Sequence, residues 1–344
     1  METETRKRFN FIKQIGKLLV IFIFAGNSIA QDAHFSLFNS CPLFLNPAYT
    51  GNFTGDWRLA LNFRNQWGAI EPFNTEMMSF DRKVYLFNQN FGAGLLFIGD
   101  QQGPNGLKSE NIYGSFSYGR VFNNNFFNIG LQLGYVHQGF DPNQTYPDQY
   151  NRETGTFSPD INGSASKTDL KISYLDINLG ILWKRSINIF EPEAGFSVFH
   201  LNSPNQSLDG GEDHLPLRFA LNAKMKTKIS DDYYVTPSLL YTRKEAATET
   251  MVGTNIGMNV FGNKSAVKEI FAGAYLRNGL FSEADALSIL AGATIRNIEF
   301  ALAYDISVSN LNVATNNRSA FEISIIYKSI STILNTYSIP CERY

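Results

Sequence analysis

From Trp57 onward the chain alternates apolar with polar or small side chains, in runs of about a dozen residues that each close on a turn. In the first run Trp57, Leu59, Leu61 and Phe63 share one face, and Arg58, Ala60, Asn62, Arg64 and Gln66 the other. Near Phe127 the same code sets Phe127, Ile129, Leu131, Leu133 and Tyr135 against Asn128, Gly130, Gln132 and Gly134. Leu217, Phe219, Leu221 and Met225 oppose Arg218, Asn222, Lys224 and Lys226, while Phe321, Ile323, Ile325 and Tyr327 oppose Glu322 and Ser324. A period of two belongs to β-strands, whose successive side chains leave on opposite faces.

The runs fall at 57–67, 73–85, 90–99, 109–121, 126–138, 171–186, 189–200, 215–229, 233–244, 249–261, 267–277, 284–295, 297–309 and 318–329. They exceed the ~5–6 residues of ordinary sandwich strands and suit the ~9–11 that a tilted strand needs to cross a bilayer. Fourteen is even, as single-chain bacterial barrels require. The fold class that follows is all-β: a transmembrane, antiparallel, up-and-down β-barrel of about 14 strands. A secreted soluble β-sandwich is the competing reading, and the run length speaks against it. Connections support the barrel: 123–125, 186–188, 230–232, 262–264 and 296–297 are short, whereas 139–170, 201–214 and 310–317 are longer. Short periplasmic turns alternating with long outer loops are expected, which places Gly139–Leu170 outside and Asn123–Asn125 in the periplasm.

Four segments result. Residues 1–30 read as a signal peptide: Arg6, Lys7, Arg8, Lys13 and Lys17, an apolar Leu18–Ala25, and a small-x-small site at Ser28-Ile29-Ala30, with cleavage near Ala30. Residues 31–56, rich in Pro, Asn and Gly, are an N-terminal segment that either plugs the lumen or lies in the periplasm. Residues 57–329 form the barrel and 330–344 a tail. No later stretch approaches the ~20 continuous apolar residues of a transmembrane helix. The expected location is the cell outer membrane.

Composition agrees: 44% of residues are hydrophobic, 14% aromatic and only 17% charged, against ~25% charged in soluble domains. The formal charge is −2, and loss of the five basic and two acidic leader residues takes the mature chain to −5. That balance argues against a nucleic-acid partner.

Candidate chemistry is sparse. His34, His137, His200 and His214 are scattered, no Gly-x-Ser-x-Gly elbow occurs, and no paired His or Cys has zinc spacing. Asp141, Asp148 and Asp160 in the long loop lack the calcium-loop pattern. The reading is non-enzymatic, with no catalytic residue, cofactor or metal. Arg58, Arg64, Arg218, Lys224, Lys226, Glu299, Asp305 and Glu322 lie on the polar stripe, hence facing the lumen. There they form either a mutual ion-pair lattice or a docking or permeation surface. Cys41 and Cys341 read as incidental small apolar residues. A disulfide between them is the alternative, since both termini reach the oxidising periplasm beside the closure seam.

Several blocks carry a family resemblance: Gln31–Ser36, then Pro42–Gly51 with its Asn46-Pro47-Ala48-Tyr49-Thr50-Gly51, and Arg64-Asn65-Gln66-Trp67 preceded by Arg58. Ser79-Phe80-Asp81, Gly92–Leu95 through Asp100, Leu131–Tyr135, Pro237–Tyr241 and Tyr304–Ser309 with its Asp305 follow in order. The mature chain thereby resembles the PorP/SprF family of the Bacteroidetes type IX secretion system. The resemblance implies an outer-membrane component that supports export or surface attachment of a secreted protein or gliding adhesin. Its implied partners are outer-membrane lipid, other type IX components and a large secreted adhesin or effector. The family residues it marks are Asn46, Pro47, Ala48, Thr50, Gly51, Arg58, Arg64, Asn65, Gln66, Trp67 and Asp305. The cysteine-bearing tail departs from the family pattern. The alternative function is a FadL-like barrel transporter for hydrophobic small molecules, which needs a continuous apolar passage inside the barrel.

Overall fold

The computed structural model describes residues 33–66, 73–87, 89–102, 106–140, 150–151, 156–157, 171–208, 210–260, 266–278, 284–308 and 318–331. Fourteen long strands close on themselves: β1 (Trp57–Gln66), β2 (Phe73–Leu86), β3 (Gln89–Gln102), β4 (Lys108–Phe122), β5 (Asn125–Gly139), β6 (Lys171–Arg185), β7 (Phe190–Phe199), β8 (Arg218–Lys228), β9 (Tyr233–Lys244), β10 (Ala247–Asn259), β11 (Val267–Asn278), β12 (Ala284–Ile295), β13 (Ile298–Ser307) and β14 (Arg318–Lys328). Each pairs antiparallel with its chain neighbours, and β1 pairs with β14 from Arg58↔Lys328 to Gln66↔Ala320. Closure leaves no free sheet edge, so every strand backbone finds its partner inside the wall. The fourteen-strand barrel expected from the alternation is the architecture found.

Alternation sorts the side chains as the sequence suggests. Outward residues such as Leu95, Phe116, Ile129, Leu175, Ile256 and Leu302 are apolar and exposed, a surface that only lipid satisfies. Trp57 lies 4.9 Å from Tyr327 and 5.9 Å from Phe80, ring centre to ring centre, at the end where β1 begins. Aromatic rings at such borders suit the membrane interface. No helix among the described residues is long and apolar enough to cross a membrane.

Connections at the end where β1 starts are mostly tight, such as Asn123–Asn124 with φ of 46° and 62°. Those at the opposite end include 140–170 and 200–217. One long-loop connection departs from this parity: β9 and β10 are joined by Glu245 and Ala246 alone, with Glu245 at φ 50°. A left-handed residue lets two strands turn with their own twist, so length is not needed there.

The segment from His34 to Asp56 lies inside the barrel. Its residues bond to or pack on β1 to β8 and on β13 and β14, a set of partners that only the lumen brings within reach. It is folded locally by a 3-10 turn (Phe38–Ser40), an α-helical turn (Pro42–Leu45) and a second 3-10 turn (Pro47–Tyr49). Prolines open the latter two turns, where a missing N–H costs nothing.

Candidate functional site

The segment contributes its own core. Phe35, Cys41 and Leu43 pack with Met77, Leu96, Ile98, Tyr113 and Val136 of the wall. Leu37, Phe38, Leu45, Ala48 and Tyr49 pack with Leu182, Leu240, Met251, Tyr275 and Leu290. These inward apolar residues break the polar stripe where the segment covers them, and burying each such side chain contributes about 1.5–3 kcal/mol. Cys41 is a fully buried free thiol, pushed well above its ordinary range by burial and, secondarily, by Glu322. Cys341 lies outside the described residues.

Asn46 to Gly51 is seated in the wall residue by residue. The Asn46 side chain accepts from Ala48 N at 2.8 Å, capping the following turn, and donates to the carbonyls of Ile181 (3.0 Å) and Phe196 (3.3 Å). Ala48 O accepts from Asn128 at 2.6 Å. Thr50 Oγ1 meets Pro47 O at 2.8 Å and Ser115 Oγ at 2.6 Å, and its carbonyl accepts from Ser117 at 2.6 Å. Gly51 donates to Asp81 at 2.7 Å from a φ of 68°, a conformation that favours glycine. Beneath them the wall is cut back to hydrogen. A Cβ on Gly180 would lie 1.9 Å from Asn46 Oδ1, on Gly130 2.2 Å from Pro47 C, and on Gly92 2.3 Å from Thr50 O.

Two charged layers clamp the segment. Toward the long-loop end, Glu322 accepts from the backbone N–H of Ser36 (2.6 Å) and Leu37 (2.8 Å) and pairs with Arg64. Asp305 pairs with Arg64 and Arg277, both at 3.1 Å, and accepts from Ser36 Oγ at 2.8 Å and Ser288 Oγ at 2.5 Å. Ser36, Arg64, Arg277, Ser288, Asp305 and Glu322 are all buried. His34 sits 3.2 Å from Arg64, and its pKa is held well below 6.5 by burial, then by Arg64 and Arg277. Toward the short-turn end, Arg58 grips Asp81 through two bonds of 2.9 and 2.8 Å and donates to Tyr49 O at 3.1 Å. Tyr49 donates its hydroxyl to Glu193, which also pairs with Lys184 (2.5 Å) and Lys224 (3.2 Å). Burial, then the Glu193 charge, raise the Tyr49 pKa, so the phenol keeps the proton it donates.

Of the residues singled out in the sequence, Asn46, Pro47, Ala48, Thr50, Gly51 and Arg58 meet in the seat, and Arg64, Gln66 and Asp305 in the long-loop layer. Asn65 points outward and bonds to Asn74 at 2.6 Å, apart from both. Trp67 lies outside the described residues. Sequence reasoning passed over Ser36, Glu193, Lys184 and Arg277 as contributors. For Glu193, Lys184 and Arg277 the only local signal was the phase of the alternation, shared by many neighbours; Ser36 closes the Gln31–Ser36 family block, which did not say what it touches. Among the charged stripe residues, Lys226 and Lys328 pair with Glu269 (3.8 Å) and Glu299 (3.0 Å). His200 bonds to Asp176 at 3.0 Å, His137 to Ser173 at 2.8 Å and His214 to the Ser203 carbonyl at 2.9 Å. Among the described residues no cluster of His, Cys, Asp and Glu could hold a metal ion.

The family described as type IX secretion system membrane protein PorP/SprF matches this chain over residues 27–327, which span both the N-terminal segment and the barrel. The chain belongs to the PorP/SprF family. As a PorP/SprF protein it is a component of type IX secretion built as an outer-membrane barrel. No curated protein matches it. Among solved structures, the monoaromatic hydrocarbon channel CymD is similar at a TM-score of 0.50 and 12% identity, over 85% of this chain and 93% of its own. The Ralstonia pickettii toluene transporter TbuX follows at 0.46 and 10%, covering 85% and 94%. The Pseudomonas putida toluene transporter TodX stands at 0.45 and 12%, covering 83% and 92%. At such identity the CymD likeness shows the barrel fold alone.

Proposed function

We propose that this PorP/SprF protein is a non-enzymatic docking subunit of the outer membrane, supporting export or surface attachment of a secreted protein or adhesin. The observation that carries the reading is the segment from His34 to Asp56, clamped in the lumen by two charged layers. A conduit for hydrophobic solutes would need a continuous apolar route. Here the lumen is crossed by Arg64, Arg277, Asp305 and Glu322 at one level and by Arg58, Asp81, Lys184 and Glu193 at another. Desolvating an apolar solute past such groups gains little, whereas a fixed polar plug offers a surface of defined shape. The seat of Asn46–Gly51 supports the same reading, since a barrel alone has no use for it. Deletion of Pro42–Gly51 tests it. The expected barrel remains heat-modifiable on gels, and surface display of the secreted cargo is lost. Normal display in that variant would overturn the proposal.

A further inference from the structure

Charge is unbalanced where the segment leaves the lumen at the short-turn end. Two of its rings are each flanked by two cations. Lys184 Nζ and Lys224 Nζ lie 5.6 and 5.7 Å from the centre of the Tyr49 ring. Arg58 and Lys83 lie 4.7 and 5.4 Å from that of Phe53. Three carboxylates, Asp56, Asp81 and Glu193, face these four charges. Asp81 is consumed by Arg58 in a buried, two-bonded pair. Glu193 is shared between Lys184 and Lys224 and accepts from Tyr49 as well. Lys83 rests on the Phe53 ring, with Asp56 and Asp81 acting on it only through space. Asp56 acts on Lys83 through space and also accepts from Ser331 Oγ at 3.1 Å.

A cation over an aromatic face is drawn to the ring's quadrupole, which leaves its net charge uncompensated. Low-dielectric walls focus the resulting positive field into the opening. The cations are reachable: the Lys184 and Lys224 side chains are 29% and 30% exposed. They point inward, so the strand wall separates them from lipid phosphates outside. The segment lies across the lumen here, so an anion entering from this end meets it first.

We propose that this mouth is a docking site for a carboxylate-rich segment of a periplasmic protein, whose acidic side chains complete the pairs of Lys83, Lys184 and Lys224. The identity of that protein as a secretion component rests on the function proposed above. The test uses the full mature barrel in detergent, titrated with fluorescein-labelled hexaglutamate and followed by anisotropy. Binding should be salt-sensitive and weaken about tenfold in Lys83→Gln/Lys224→Gln, with Lys83→Glu as a second variant should the first fold poorly. It should persist in Lys108→Gln/Lys171→Gln at the opposite end. Absent binding, equal binding by the mouth variants, or displacement by inorganic phosphate at matched charge would overturn the proposal. Normal cargo display on deletion of Pro42–Gly51, with peptide binding by the unaltered barrel intact, would instead count against the function proposed above and leave this site standing.

Discussion

His34 and Gly130 show how single residues carry the plug. The His34 imidazole is neutral in the folded chain and accepts from the Arg64 guanidinium, because burial and two arginines depress its pKa below 6.5. The unfolded chain takes up that proton near 6.5 and the folded chain only at lower pH. Its contribution to stability is therefore complete above 6.5 and declines as pH falls below that value. His34→Gln, neutral throughout, should shrink the loss of Tm between about pH 7.5 and about pH 5.5. An equal loss in both proteins would refute this role. Gly130 acts by absence. An added methyl would lie 2.2 Å from the backbone of Pro47, which no rotamer change relieves. Gly130→Ala should cost about 1–3 kcal/mol by overpacking and should expose Cys41 to alkylation in a Cys341→Ser background. Gly99→Ala, whose nearest neighbour is Phe97 at 3.6 Å, should leave Cys41 protected.

Elements meet through their ends. The N-terminal segment is a chain of three short turns that no sequence periodicity signals, because each is shorter than the period it would need to display. Its conformation is held by Asn46, whose side chain caps one turn and ties two strand carbonyls. Asn46→Ala removes an acceptor and a donor at once, leaving the Ala48 N–H and two wall carbonyls without their partner. A loss of about 1–3 kcal/mol is expected in chemical unfolding, together with protease cleavage before β1. An uncleaved segment would show that the glycine seat alone retains it. The strands, by contrast, were legible: all fourteen were placed within a few residues, since a two-faced wall between lipid and a polar lumen writes itself locally into every run.

Across the whole molecule, the long-loop layer also fastens the seam. Arg64 on β1 pairs with Glu322 on β14, and both contact Ser36 of the plug, so closure of the wall and seating of the segment share the same charges. Glu322→Gln should weaken both together, costing about 3–5 kcal/mol as a broken buried pair does. The measurement is the temperature at which the barrel loses its compact gel mobility, and an unchanged value would separate seam from plug. Sidedness is checked independently. An epitope inserted at Gly210, exposed in the 200–217 connection with open space around it, should be labelled on intact cells. Labelling only after permeabilisation would invert the barrel.

The sequence by itself determined the number of strands, their two faces and the membrane environment, because each follows from alternation within a dozen neighbouring residues. It also marked Asn46–Gly51 and Arg64 as belonging to a family pattern, without saying what they touch. Only the tertiary structure decided that the N-terminal segment fills the lumen, and that Gly92, Gly130 and Gly180 are its seat rather than generic barrel glycines. It alone joined Arg64 to Glu322 across 258 positions of chain. Local pattern fixes which face a side chain leaves from. Partners are chosen by closure of the wall, and no local window contains both ends of that contact.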